Sequence, residues 1–101
     1  MSLKVWLDDV RPAPDGWYHV LWPQEAIELL KKGNVTHISL DHDLGDDALG
    51  TGYDVLLWIE EQTMCHEFLP PHIVVHSANV SARQKMESAI KKIASMKRLS
   101  L

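Results

Sequence analysis

Three short apolar runs in this chain each end in side chains equipped for chemistry. Lys4-Val5-Trp6-Leu7 leads into Asp8-Asp9, His37-Ile38-Ser39-Leu40 into Asp41-His42-Asp43, and Ile73-Val74-Val75 into His76-Ser77-Ala78-Asn79. Crowded carboxylates either share a proton or are neutralised by a hard divalent cation. Oxygen ligands without cysteine favour Mg²⁺, or Mn²⁺ as a substitute, over zinc, and Asp8 or Asp9 together with Asp41 are the expected ligands. His42 and His76 have the chemistry of a general acid or base near neutral pH, or of a donor to a phosphoryl oxygen. Ser77 and Asn79 offer a hydroxyl and an amide to phosphate oxygens beside the N–H groups of a following helix, or else only a turn and the approach to a helix cap. Arg11, in a proline-stiffened loop, could clamp a phosphate bidentately or pair with the acidic cluster. The acidic pair has a plainer alternative as well, which is to cap and solubilise a strand end.

These groups converge only if the three runs are neighbouring strands. In an open parallel sheet the carboxyl ends of the strands border one crevice, and neighbours lie about 4.8 Å apart, within reach of one small cation. Leu3 to Leu7 reads as the first strand, and Arg11-Pro12-Ala13-Pro14-Asp15-Gly16 after it as a loop with no helix. Trp17 to Leu21 reads as a second strand. Pro23 suits the first residue of a helix whose apolar stripe is Ala26, Ile27, Leu29 and Leu30, closed by Gly33. Thr36 to Leu40 is the third strand, and the polar segment from Asp41 to Gly50 is a loop. Thr51 is placed to cap a helix that buries Val55, Leu56 and Ile59. Ile73 to Val75 is the fourth strand. Ser81 and Gln84 have capping-box spacing for a last helix with Met86, Ala89, Ile90, Ile93 and Ala94 on one stripe.

The alternation predicts one α/β domain over residues 1–101. Its expected form is a three-layer fold of about four mostly parallel strands with helices on both faces. The 101 residues leave room for a single core. A formal charge of −4 argues against a broad phosphate-binding surface, although one nucleic-acid end in one pocket is compatible with it. The one cysteine, Cys65, forms no internal disulfide, and no Cys or His spacing suggests zinc. No signal-like or membrane-spanning run is evident, so a cytoplasmic location is expected. The remaining histidines, His19, His37, His66 and His72, read as structural or surface residues. Trp6, Trp17, Trp22 and Trp58 read as core candidates, although Trp17 or Trp22, near the loops, could stack on a base. Asp43, Asp46 and Asp47 shape or solvate their loop, with Asp43 next to the site.

The run Leu7-Asp8-Asp9, then Leu40-Asp41, then Thr51-Gly52-Tyr53-Asp54-Val55-Leu56, then Val74-Val75-His76-Ser77-Ala78 resembles a response-regulator receiver domain. By that likeness Asp8 and Asp9 hold Mg²⁺, Asp41 matches the phosphoacceptor, and Ser77 matches the family's hydroxyl residue. The chain departs from the pattern in two ways: no helix joins the first two strands, and no fifth strand with its lysine follows the last helix. Leu-Asp-Asp-Val-Arg-Pro from Leu7, Ser-Leu-Asp-His-Asp-Leu from Ser39 and His-Ser-Ala-Asn from His76 are instead similar to the divergent cyclic-phosphate processing receiver family. That resemblance implies a shortened receiver-like, flavodoxin-like domain. Its expected activity is that of a metal-dependent phosphoesterase opening a cyclic phosphate on a nucleotide or RNA end. His42 and His76 would divide the acid and base duties, and Arg11, Ser77 and Asn79 would fix the phosphate. A direct attack by Asp41 is a mechanistic variant. The rival reading is a non-catalytic signalling or binding module that accepts a phosphoryl group at Asp41.

Overall fold

The computed structural model describes residues 2–41, 50–77 and 79–99. Strands β1 (Leu3–Leu7), β2 (Tyr18–Val20), β3 (Val35–Leu40) and β4 (His72–Val75) form one sheet in the order β2-β1-β3-β4, with every pair parallel. The helices are α1 (Pro23–Lys31), α2 (Gly52–Cys65) and α3 (Val80–Leu99). The parallel, four-stranded α/β architecture is the expected one. Among the described residues no helix is long and apolar enough to cross a membrane.

Local chemistry explains most boundaries. Pro23 opens α1, where a missing N–H costs nothing, and the Glu25 carboxylate accepts from the Trp22 N–H at 3.1 Å. Gly33, at φ +80°, ends that helix by donating its N–H to the Leu30 carbonyl, in a conformation that glycine adopts without steric cost. Thr51 caps α2 as expected, its Oγ1 accepting from the Tyr53 N–H while Asp54 accepts from the Thr51 N–H. The cap of α3 differs from expectation. Asn79, not Ser81, holds the first turn, with Oδ1 accepting from the Ala82 N–H at 3.1 Å and its carbonyl from the Arg83 N–H at 2.9 Å. The short amide side chain of Asn79 reaches the third N–H of the helix, and Ser81 lies inside the first turn.

The helices depart from the expected arrangement too, lying side by side on one face, α1 against α2 and α2 against α3. The steps from β2 to β3 and from β3 to β4 cross the sheet in the same direction, so right-handed crossovers put their helices on the same side. Only the step from β1 to β2 runs the other way, and it is made by the proline-bearing loop. The core follows this layering. Val5, Leu7, Val20, Ile38, Leu40 and Ile73 meet Ala26, Leu30, Val55, Leu56, Ile59, Met86 and Ile93 in one apolar cluster. The alternate residues, Lys4, Trp6, His37, Ser39, His72 and Val74, lie on the face that no helix covers among the described residues.

Candidate active site at the carboxyl edge of the open face

Strand alternation carries past the strand ends and decides which polar groups meet. Asp8 continues the Lys4, Trp6 row of β1, Asp41 the His37, Ser39 row of β3, and His76 the His72, Val74 row of β4. Ladder bonds hold the three ends level: the Asp41 N–H donates to the Leu7 carbonyl and the His76 N–H to the Leu40 carbonyl, each at 3.0 Å. As a result Asp8, Asp41 and His76 each bring a ligand atom within 4.8 Å of the others. Gly52 permits the close approach of α2, because a Cβ there would overlap the Asp41 carbonyl oxygen.

Asp8 is the anchor of the group and is only 1% exposed. Its Oδ1 accepts from the backbone N–H groups of Val10 and Arg11, both at 2.8 Å, and its Oδ2 lies 3.0 Å from His76 Nε2. Burial pulls its pKa up, but the N–H donors of Arg11 and Val10 together with His76 outweigh that, and the net shift is downward. Asp8 is therefore a carboxylate at neutral pH. His76 is shifted downward by burial, against the raising influence of Asp8 and Asp41. The imidazole is therefore neutral near pH 7.

An ionised carboxylate only accepts, so in this geometry His76 Nε2 carries the ring proton and donates it to Asp8. The other nitrogen, Nδ1, then accepts from the Ser39 hydroxyl at 2.7 Å. Ser39 is 2% exposed, which places it as a support for the ring rather than a group that meets substrate. Trp6 completes the seat, its indole lying flat on the imidazole with centroids 3.8 Å apart and planes 4° apart. His19 Nε2 donates to the Asp8 carbonyl oxygen at 2.6 Å from the neighbouring strand.

The other expected site residues are placed as follows. Asp9 is half-buried and outside the three-residue group, with Oδ1 buried and without a hydrogen-bond partner among the described residues. Arg11 reaches from the β1–β2 loop across the sheet edge, Nη1 donating to the His76 carbonyl at 2.8 Å. Ser77 is buried and its Oγ accepts from the Asn79 N–H at 3.1 Å, while the Asn79 side chain caps α3. His42, Asp43, Asp46 and Asp47 lie outside the described residues. Ser39, Trp6 and His19 were not singled out from the sequence as site residues. The signal for the first two was alternation, since each stands two residues before an expected ligand on the same strand face.

Two carboxylates and a neutral imidazole with ligand atoms within 4.8 Å of one another make a donor set suited to a divalent cation. Residues 3–92 match the model of a family described as the cyclic-phosphate processing receiver domain. No curated protein and no solved structure gives a significant match.

Proposed function

The chain belongs to the cyclic-phosphate processing receiver domain family, and from that premise we propose that it hydrolyses a cyclic phosphate on a nucleotide or RNA end at the Asp8, Asp41, His76 group. The observation that carries this reading is the His76 seat. A signalling receiver needs carboxylates, but it has no use for an imidazole held by Asp8, Ser39 and Trp6 beside them.

Asp8 and Asp41, with Asp9 adjacent, would hold Mg²⁺ or Mn²⁺. Such an ion polarises a phosphoryl oxygen and offsets the phosphate's charge beside the carboxylates. His76 handles the proton. To act as a base, His76 would carry its proton on Nδ1, where the Ser39 hydroxyl can accept its hydrogen bond, with the Nε2 hydrogen passing to solvent. Asp8 Oδ2 would be engaged by the cation instead of the ring, since a carboxylate and an unprotonated Nε2 are both acceptors. Nε2 then takes a proton from the attacking water as the water oxygen bonds to phosphorus, and the bond from phosphorus to one ribose oxygen breaks. That oxygen leaves with a proton, the duty that falls to His42 when His76 is the base, and the product is a phosphomonoester. Arg11 supports this arrangement by fixing the His76 backbone, and its remaining N–H groups face an exposed edge suited to phosphate.

The test is turnover. Purified protein with Mg²⁺ or Mn²⁺ is incubated with 2′,3′-cyclic nucleotides and with RNA ended by a cyclic phosphate, alongside His76→Ala and Asp8→Asn. Monophosphate product from the parent and a loss of at least a hundredfold in His76→Ala are expected. No product from any substrate, together with stable labelling of Asp41 by a small phosphodonor, would instead identify a phospho-accepting module.

A further inference from the structure

The catalytic edge is continuous with an unusual surface. Running away from it down the open face, His76 stacks on Trp6, Trp6 meets Trp17 at a centroid distance of 6.2 Å, Trp17 meets His37 at 6.4 Å, and His37 meets His72 at 5.6 Å. The strand register sets the direction. Trp6 stands opposite Ser39, one row below the acidic edge, and Lys4 opposite His37 and His72, one row lower. Four residue steps of strand lead from Lys4 to Asp8, so the ring surface is roughly 13 Å long.

We propose that this face is a stacking platform for the bases of a single-stranded RNA 3′ end whose terminal phosphate sits at Asp8, Asp41 and His76. The proposal rests on the phosphate-site reading above. Three observations favour that occupant. The rings are planar π-systems on an open four-stranded sheet, the setting in which aromatic side chains stack successive bases. The charge fits: the chain has a net charge of −4, yet on the strand positions of this face the only carboxylates are Asp8 and Asp41 at the edge, while Lys4 lies below them, its Nζ 5.9 Å from the Trp17 ring centroid. The length exceeds what one terminal nucleoside covers, so nucleotides preceding the terminal one have somewhere to lie.

Binding separates this proposal from the catalytic one. Oligoribonucleotides of one, two and four residues ended by a 3′-phosphate, which the proposed reaction does not consume, are titrated against the parent protein and against Trp17→Ala, Trp17→Phe, His37→Ala and Lys4→Ala. The expected result is roughly tenfold tighter binding of the tetramer than of the mononucleotide, with most of that ratio lost in Trp17→Ala and kept in Trp17→Phe. Circular dichroism checks folding, and if Trp17→Ala unfolds, His37→Ala and Lys4→Ala carry the comparison. No gain with length in the parent, or a gain that survives all three alanine substitutions, overturns the platform even if mononucleotides are hydrolysed. A length gain without turnover retains the platform and removes the hydrolytic reading. A dimer in sedimentation that Trp17→Glu dissociates would give the face to a second copy of the chain and overturn the proposal.

Discussion

The imidazole of His76 lies flat against the indole of Trp6, with ring centroids 3.8 Å apart and planes 4° apart, although the two residues belong to strands that are not neighbours. The stack bridges over β3, and Ser39 of β3 meets the ring's Nδ1 from below. A side chain at the end of β4 is thereby held from two other strands at once, since Asp8, at the end of β1, takes the other nitrogen.

Removing the indole tests what that wall does. Burial is the largest cause of the low His76 pKa, so Trp6→Ala should let water reach the ring and move its pKa up toward the ordinary histidine value. Titration of the ring protons by NMR reads this directly, and Trp6→Phe should shift the value less. Loss of the indole's contact with the ring should also be visible as a lower denaturation midpoint.

Acid should weaken the metal-free protein in two separate ranges. His76 binds its proton less readily folded than unfolded, so the stability it contributes is complete above about pH 6.5 and falls as pH drops through that value toward the folded pKa. Asp8 is also lowered, so its contribution persists until pH falls below about 3.9. Urea midpoints measured from pH 8 to pH 3 should show the first decline in the parent and lose it in His76→Gln. Equal slopes in both proteins would assign the first decline elsewhere.

The Ser39 hydroxyl is the smallest group with a specific duty here. Ser39→Ala removes the partner of His76 Nδ1 in a buried place, at a cost of about 1–3 kcal/mol. The same change should lower turnover about tenfold with little change in KM, because the imidazole loses the group that serves both of its tautomers. Ser39→Thr, which keeps the hydroxyl, should retain more of the rate.

Gly52 ties α2 to the site by backbone contact. In Gly52→Ala the new methyl overlaps the Asp41 carbonyl oxygen, so helix and strand end must separate, at about 1–3 kcal/mol. Calorimetric titration with Mn²⁺ should show weaker binding in this variant than in Leu57→Ala, a change at an exposed position on the same helix. Equal Mn²⁺ affinities would show that Asp41 does not respond to the position of α2.

Much of this was legible in the chain. Apolar runs ending in acidic residues marked β1 and β3, Pro23, Gly33 and Thr51 marked helix boundaries, and the three motifs carried the family. The cap of the last helix is not legible in the chain, because Asn79 and Ser81 both have capping side chains and only the backbone path selects Asn79. Helices were expected on both faces because alternation of elements carries no record of direction across the sheet, which strand order supplies.

The sequence by itself determined which side chains stand at strand ends, because that depends on local pattern alone. Only the tertiary structure decided which of them meet. Asp8 rather than Asp9 joins Asp41 and His76, and Ser39 and Trp6 hold the ring, because parallel register and alternation select one face of the sheet for all of them. A one-residue slip would have chosen the other set, since in a strand the side chains change faces at every residue.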